Sequence, residues 1–213
     1  MKKYPDDLPP DAEKVFLDIG RKLFDEYKDF PEVQAFWWPR FESMAAWFVE
    51  NEYERRKNNI KLLKAEAQGS INLNGFTLKG RADRIDRLPE GTLAISDYKT
   101  GYVPSQKEVA AGYEPQLPLL ALIAAEGGFT GILPASAPKL EYWKLGNAPY
   151  ITMLKDAGAL REKARVGLQQ LIVGFANPAM PYLAVPRLAM MPRYDDYAHL
   201  ARLKEWGRTE EDA

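Results

Sequence analysis

Hydrophobic positions recur at helical spacing at both ends of the chain. Residues 11–30 predict one amphipathic helix, and the residues after Pro39 predict a second. A third helix is expected over 116–126, beginning near Pro115, because proline suits the first turn of a helix. A fourth is expected over 156–175. The pattern therefore predicts helices before and after a central region of different character.

That central region shows two-fold alternation of apolar and polar residues, which is typical of β-strands. Asn74-Gly75 between two apolar runs is a signal for a type I′ hairpin, and Pro89-Glu90-Gly91 marks a second turn. Because hairpins join the early strands, the expected fold class is a mixed α/β sheet flanked by helices and not a doubly wound fold. The expected strands are an antiparallel meander over 61–73, 76–87 and 92–98, and a further strand over 139–145.

The length of 213 residues fits one domain. Four prolines and few charges between residues 178 and 192 predict an extended strap, and a short terminal helix is expected after it. The predicted organisation is a single domain over 1–206, with a helical part at 1–58, a core at 60–176, a strap and terminal helix at 178–206, and a frayed tail at 207–213.

Composition excludes several classes of function. The 29 basic and 30 acidic residues nearly cancel, so the chain is no histone-like polycation. With no cysteine and one histidine, disulfide scaffolds, thiolate zinc sites, iron–sulfur clusters and cysteine nucleophiles are excluded. The N-terminus turns acidic where a signal peptide would turn apolar, and the longest apolar run is far too short for a bilayer. A soluble, cytoplasmic protein is expected.

Two acidic segments carry the candidate chemistry. Asp97 and Lys99 are two residues apart on an expected strand, so their side chains share a face. A hairpin symmetric about Glu90 sets the register between this strand and the preceding one. The opposed pairs are then Asp83 with Asp97, Arg81 with Lys99, and Ile85 with Ile95, the last toward the apolar core.

Adjacent aspartates repel, and one of them is expected to take up a proton unless a cation lies between them. Oxygen ligands without an available histidine or cysteine favour Mg²⁺ or Mn²⁺. A lysine on the same face could orient or deprotonate an attacking water and stabilise negative charge on a phosphate. The alternative is a solvated salt bridge, which is common at strand ends. Asp86 is interpreted as such a surface or turn-stabilising carboxylate.

The longer string around these residues resembles the RecB-like branch of the PD-(D/E)XK nuclease superfamily. It consists of Gly-Arg-Ala-Asp-Arg-Ile-Asp at 80–86, Asp-Tyr-Lys-Thr-Gly at 97–101 and Pro-Gln-Leu at 115–117. Three ordered pieces are far more specific than one. The resemblance implies a restriction-endonuclease-like fold and a Mg²⁺-dependent deoxyribonuclease, with Mn²⁺ as a second possible ion.

Three further segments, at 36–41, 116–119 and 197–202, resemble the C-terminal nuclease domains of AddB-type proteins. Those proteins work with AddA-type helicase–nuclease subunits on bacterial double-strand breaks. The resemblance implies DNA and an AddA-like subunit as partners, no membrane, and a role in end processing for recombinational repair. Many members hold an iron–sulfur cluster, so a chain without cysteine is similar to the cluster-free alphaproteobacterial type.

The resemblance also implies roles for individual residues. Asp83 and Asp97 would hold the metal ion, and Lys99 would be the catalytic lysine. Gln116 matches the family glutamine that positions the lysine or the DNA backbone. Glu66 lies where the branch often has an acidic residue on its first strand, and it is a further candidate metal ligand. The candidate phosphate contacts beside the site are Arg81, Arg84 and Arg87.

Two departures from the family pattern stand out. Members commonly supply a histidine ligand from a helix before the region seen here, whereas this chain has only His199, far downstream. A truncated domain lacking one ligand is therefore expected. The glutamine motif usually continues to a tyrosine four residues on, where this chain has Leu120. The chain also has no P-loop motif, so ATP-driven unwinding would come from a partner or from further chain.

Several features leave alternatives open. The basic run Arg55, Arg56, Lys57, Lys61 and Lys64 fits either DNA phosphates or the favourable C-terminus of a helix. Aromatic residues at helical spacing favour a core position over base stacking; these are Trp37, Trp38, Trp47 and Phe48. The rival functions are a non-catalytic DNA-binding or scaffold module of the same fold and a free-standing RecB-like exonuclease.

Overall fold

The computed structural model describes residues 7–182 and Leu200. Contacts divide the chain into two compact units, Met1–Leu171 and Ile172–Ala213. The expected terminal helix, His199 and most of the expected strap lie outside the described residues. The single-domain organisation stays a prediction. No described helix has the length and apolar character that crossing a membrane requires.

Two helices open the described chain. Helix α1 spans Ala12–Phe24 and ends earlier than predicted, in a short 3₁₀ turn at Asp25–Tyr27. A π-helical turn at Val33–Trp37 leads into helix α2, Trp38–Lys57. Aromatic rings fill the space between the two helices. The ring pairs are Phe16 with Phe41 and with Phe48, both at 5.4 Å, and Phe24 with Trp38 at 5.3 Å.

The predicted meander is confirmed to within one residue. Strands β1, β2 and β3 span Lys61–Leu73, Phe76–Arg87 and Leu93–Lys99. Asn74 and Gly75 have φ of 51° and 87°, as a type I′ turn requires of both its central residues. The register between β2 and β3 is also confirmed where the two strands pair. Its pairs run from Arg87–Leu93 through Ile85–Ile95 to Arg84–Ser96.

A crossover then places the next strand parallel to β3. Helices α3, Gln106–Ala111, and α4, Gln116–Ala125, separate β3 from β4, Lys139–Lys144. Strand β5, Tyr150–Met153, pairs antiparallel with β4 and was not predicted, because four residues are too few to show a period. Helix α5 spans Ala157–Phe175. The strand order β1-β2-β3-β4-β5 confirms the mixed α/β sheet with flanking helices, consistent with a restriction-endonuclease-like fold.

The apolar core lies between the sheet and α4, which is buried along most of its length. Two opposed glycines, Gly69 on β1 and Gly80 on β2, let α4 and the segment after it approach the sheet closely. A Cβ at Gly69 would lie 2.6 Å from the ring of Phe129, and one at Gly80 would lie 2.9 Å from Leu120. The absence of side chains at both positions therefore determines the spacing of the two layers.

The opposite face of the sheet packs against α2 through buried charges. Arg84 on β2 is 1% exposed; it ion-pairs with Glu52 of α2 and donates to Asp86 Oδ2 at 2.7 Å. Arg55 of α2 donates to Asp86 Oδ2 at 2.6 Å and to Glu141 Oε2 of β4 at 2.9 Å. Arg56 pairs with Glu52 at 2.6 Å. We call these six residues, three arginines and three carboxylates, the back-face network.

This network corrects two predictions. Asp86 is fully buried and bonded to two arginines, so the interpretation of it as a surface carboxylate is wrong. Arg84 is equally buried on the α2 side, so its guanidinium does not reach a phosphate in solvent. Arg84 and Asp86 pair with each other on β2, but their other partners, Glu52 and Arg55, lie on α2, 32 and 31 residues earlier, and local pattern carries no signal for such pairs.

We expect Gly69→Ala to destabilise the fold by about 1–3 kcal/mol, because the added methyl group overpacks the contact with Phe129. Gly167→Ala, in the interior of α5 where nothing lies within 4 Å of the new Cβ, should instead stabilise by up to about 1 kcal/mol. Urea unfolding of both variants measures the difference. Equal unfolding midpoints would contradict the close approach at Gly69.

We expect Arg84→Met to cost about 3–5 kcal/mol of folding free energy, because it leaves Glu52 and Asp86 buried beside fewer positive charges. Arg81→Met is the matched control on the same strand. Arg81 pairs with Glu66 in solvent, with both side chains about 60% exposed, so its loss should cost no more than about 1 kcal/mol. A similar cost for both variants in denaturant titration would show that the back-face network adds nothing beyond a surface pair.

Candidate active site

The candidate site forms where β3 ends and α4 begins. In a strand–helix–strand crossover the carboxyl end of the strand lies near the amino end of the helix, which is a common location of active sites. Asp97 and Lys99 are among the last three residues of β3, and Gln116 is the first residue of α4. The topology therefore brings together three side chains that are up to 19 residues apart.

Asp97 is 3% exposed and is contacted from two sides. Gln116 Nε2 donates to its Oδ1 at 2.6 Å. The ammonium of Lys99 lies 2.9 Å from its Oδ2 as an ion pair, but no well-directed hydrogen bond reaches that oxygen from the described residues. Asp97 thus has one oxygen bonded to Gln116 and one buried oxygen in an ion pair with Lys99.

Lys99 is held between two oxygen atoms. Its Nζ donates to Gln116 Oε1 at 3.2 Å and pairs with Asp97 Oδ2. Gln116 therefore bridges the carboxylate and the ammonium, because its amide donates a hydrogen bond to Asp97 and accepts one from Lys99. This bridge orients the amide, because the opposite assignment of its nitrogen and oxygen would break both bonds.

Asp83 reaches the same place from β2. Its Oδ2 accepts a hydrogen bond from the backbone N–H of Tyr98 at 2.9 Å. Because Tyr98 is the residue between Asp97 and Lys99, the Asp83 carboxylate lies next to the part of β3 that carries both. The pairing of β2 with β3 stops at Arg84–Ser96, one step before Asp83. The expected pair of Arg81 with Lys99 is accordingly not formed, and Arg81 pairs with Gln68 of β1 instead.

The backbone is irregular at this point. Ala82 and Ile85 belong to the same buried cluster although they are three residues apart, so the alternation of β2 shifts by one residue between them. Opposite the shift, Glu66 interrupts β1 with a φ of 51°. The register between Ala65–Arg84 and Ala67–Ala82 places Glu66 beside Asp83, but its carboxylate is 60% exposed and pairs with Arg81 Nε at 2.9 Å. Irregularities of this kind are common next to active sites because they re-aim side chains.

The electrostatics of the site favour a bound cation. Burial raises the pKa of Asp97 above its ordinary value, and the nearby carboxylate of Asp83 raises it further, although Lys99 and Gln116 act in the opposite direction. Two carboxylates and one ammonium leave a net negative charge. A divalent ion between the aspartates would remove their repulsion and take both carboxylates as ligands.

The residues present fit a hard ion such as Mg²⁺, because the donor set of Asp97 and the neighbouring Asp83 consists of carboxylate oxygens only. Within residues 7–182 and 200, no group of three or more histidine, aspartate or glutamate side chains converges on one point. Water and phosphate oxygens would therefore complete the coordination, as is usual for magnesium.

Tyr142 is a component of the site that sequence reasoning missed. It lies on β4 directly beside Asp97, is fully buried, and its ring centroid lies 5.9 Å from Lys99 Nζ. Burial raises the pKa of its phenol, as do the carboxylates of Asp97 and Glu114, so the phenol stays protonated. Its hydroxyl has no hydrogen-bond partner among the described residues. Only the parallel register of β3 and β4 reveals this neighbour.

The predicted DNA contacts separate into two groups. Arg81 is exposed and two residues from Asp83, so it is still a candidate. Arg87 lies four residues from Asp83 along β2, roughly 13 Å away, and pairs with Leu93 at the other end of the hairpin. In the basic run, Arg55 and Arg56 belong to the back-face network, and Lys64 donates to the carbonyl of Thr130 at 3.0 Å. Arg55 and Arg56 lie in the last turn of α2, as the helix-terminus interpretation expects, whereas Lys64 lies on β1.

The aromatic residues of α2 and of the π-helical turn before it differ in exposure to solvent. Trp47 and Phe48 pack on Trp143 of β4, with ring centroids 5.7 and 5.6 Å apart, which confirms the core interpretation for both. Trp38 packs on Phe24. Trp37 is different, since 61% of it is exposed.

Comparison with known proteins assigns the class that the fold and site suggest. The family model of the PD-(D/E)XK nuclease superfamily matches residues 1–205, and the chain belongs to that superfamily. Among curated relatives, an uncharacterized Rickettsia bellii protein is 28% identical over 221 residues, covering 93% of this chain and 26% of its own length. The Rickettsia conorii protein RC0550, also uncharacterized, is 38% identical over 124 residues, covering 56% of this chain and 15% of its own length.

The chain thus spans about a quarter or less of the length of these relatives. The crystal structure of SSO0001 aligns with 76% of this chain and 81% of its own, at 14% identity and a TM-score of 0.31. A similarity at that level does not bear on function.

We expect Tyr142→Phe to stabilise the fold by about 1–3 kcal/mol, because it removes a buried hydroxyl that has no hydrogen-bond partner among the described residues. Tyr142→Leu should destabilise, since it also removes the ring beside Lys99 and leaves a cavity. Thermal or urea unfolding distinguishes the two variants. A loss of stability in Tyr142→Phe would mean that the hydroxyl has a partner in the folded protein.

Proposed function

We propose that this domain is a metal-dependent DNA nuclease that hydrolyses phosphodiester bonds at the Asp83–Asp97–Lys99–Gln116 cluster. The single observation that carries the proposal is the convergence of two carboxylates, Asp83 and the buried Asp97, on one ammonium, that of Lys99. A purely structural ion pair needs only one carboxylate for one lysine, whereas two carboxylates leave a negative charge that a divalent ion would neutralise. Membership of the nuclease superfamily supports the same chemistry.

Each residue has a definite task in this proposal. Asp83 and Asp97 hold Mg²⁺, or Mn²⁺ in its place, which when bound would polarise the phosphate and favour ionisation of water. Lys99 orients the attacking water and stabilises the charge that develops on the phosphate. Gln116 keeps the Lys99 ammonium and the Asp97 carboxylate in fixed relation through its two hydrogen bonds. Glu66 lies beside Asp83 in the register and would serve as a further ligand only after leaving Arg81.

The biological role proposed is DNA end processing in recombinational double-strand break repair, as part of an AddAB-type helicase–nuclease. The resemblance of the sequence to AddB-type nuclease domains supports this role. The curated relatives are several times longer than the chain, which fits a nuclease module within a larger protein. Unwinding would then be supplied by an AddA-like subunit.

One observation favours a second candidate, a non-catalytic DNA-binding or scaffold module of the same fold. In the described part of the chain, the two aspartates are joined by no third ligand that converges on them. A domain that had lost a ligand would bind DNA in a salt-dependent manner without cutting it.

To test the proposal, labelled single- and double-stranded DNA is incubated with the wild type and two variants in Mg²⁺ or Mn²⁺. Asp97→Asn keeps the shape of the side chain but removes its charge, and Lys99→Met removes the ammonium. We expect each variant to lose cleavage by at least about a hundredfold, since each removes a charge aimed at the reacting phosphate. Asp18→Asn, an exposed aspartate on α1, is the control and should cut normally.

Metal-dependent cutting that persists in Asp97→Asn would reject the assigned site. If the wild type binds DNA but does not cut it with either ion, the scaffold function is supported instead. Titration of the ion with a DNA-free readout, such as calorimetry of Mg²⁺ or Mn²⁺ binding, then shows whether Asp83 and Asp97 bind metal at all.

A further inference from the structure

The loop after Lys99 presents an aromatic ring to solvent and holds it in place. Tyr102 is 65% exposed, and its hydroxyl donates to the carboxylate of Glu108. Glu108 is itself fixed, because the hydroxyl and the backbone N–H of Ser105 donate to the same Oε2 at 2.5 and 2.9 Å. The bond from the Ser105 N–H, together with the Glu108 N–H that donates to the Ser105 hydroxyl at 3.3 Å, forms the capping box at the start of α3. The hydroxyl of Tyr102 is therefore anchored while most of the residue stays exposed.

The rest of the loop is held as well. Lys144 of β4 donates to the carbonyl of Thr100 at 2.6 Å and also to that of Gly101. At the other end, Gln106 exchanges two hydrogen bonds with the backbone of Lys155, at 3.2 and 3.0 Å. The position of Tyr102 is thus fixed from both sides by side-chain contacts, as a preorganised recognition element requires.

This ring lies close to the candidate site. Tyr102 follows Lys99 by three residues, so the two Cα atoms are at most about 11 Å apart. Lys144, which binds the carbonyls of Thr100 and Gly101, is itself paired with Lys99 in the register of β3 and β4. The backbone between Lys99 and Tyr102 is therefore held against the end of β4, next to the candidate site.

From this placement we infer that Tyr102 is a stacking platform for an unpaired base of single-stranded DNA, one or two nucleotides from the phosphate held at Asp97 and Lys99. The inference rests on the proposed nuclease function and specifies its substrate as a strand with unstacked bases. A duplex already stacks both faces of each internal base, so it offers this ring little, whereas every unpaired base presents a free face whatever its sequence.

The inference is tested by a double-mutant cycle between the ring and the base. All proteins carry Lys99→Met, so that the DNA stays intact during measurement. Binding is followed by fluorescence anisotropy with a labelled oligonucleotide of about 12 nucleotides and with an abasic chain of the same length, at fixed salt. We expect Tyr102→Ala to weaken binding of the oligonucleotide about tenfold, within the range for one stacked base, and to leave binding of the abasic chain unchanged.

Two variants serve as controls. Tyr102→Phe keeps the ring and should stay within about threefold of the parent protein, since stacking needs no hydroxyl. Phe76→Ala removes an exposed ring of similar size at the β1–β2 turn, seven residues and roughly 23 Å from Asp83 along β2, and should not change binding.

An equal loss for both ligands in Tyr102→Ala, or no loss for either, overturns the stacking role. Cleavage assays of the single variant Tyr102→Ala, with Lys99 intact, separate this failure from failure of the proposed function. If the wild type cuts DNA and Tyr102→Ala binds and cuts like it, the nuclease function is supported and the stacking role of Tyr102 is rejected. A wild type that neither binds nor cuts single strands rejects both.

Discussion

The structure depends on how the sheet balances buried charge on its two faces. On the α2 side, three arginines meet three carboxylates, and Arg84 joins Glu52 to Asp86 in a set with no net charge. On the α4 side, two aspartates meet one lysine, which pairs with the buried Oδ2 of Asp97. Burying an unbalanced charge costs several kcal/mol unless a partner balances it. The first face is thus balanced in charge, whereas the second has an excess negative charge that a bound cation would neutralise.

The two faces are linked by the alternation of a single strand. Along β3, Ser96 faces Glu141 in the back-face region, while its neighbours Ile95 and Asp97 face the α4 side. Any slip of one residue would exchange the two sets. Anchoring α2 and β4 through Arg55 and Glu141 therefore also protects the register that brings Asp97 to Gln116. The alternation of β3 therefore places the stabilising contact of Ser96 on one face and the candidate site residue Asp97 on the other.

Much of this arrangement could be predicted from the sequence, because turn chemistry is local. Asn74-Gly75 and Pro89-Glu90-Gly91 determine the two hairpins, and the hairpins determine the register that brings Asp83 next to Asp97. The back-face network could not be predicted, since Arg84 reads as a surface cation until its partner 32 residues away on α2 is known. Tyr142 was missed for a related reason. Its place beside Asp97 follows from a parallel pairing across a crossover, and no local pattern specifies that register.

Rigidity around the site is distributed in a way that suits a nuclease. The charged groups are on the end of β3 and the first turn of α4, whose positions are determined by the core. The segment after Lys99 is tied to the core by Val103 and the buried Pro104, and side chains from β4 and α3 also bind its carbonyls and its tyrosine hydroxyl. Such bonds hold a loop without burying it. The exposed surface beside the site therefore keeps a defined shape at little cost in buried area, as the proposed positioning of a flexible strand against fixed chemistry requires.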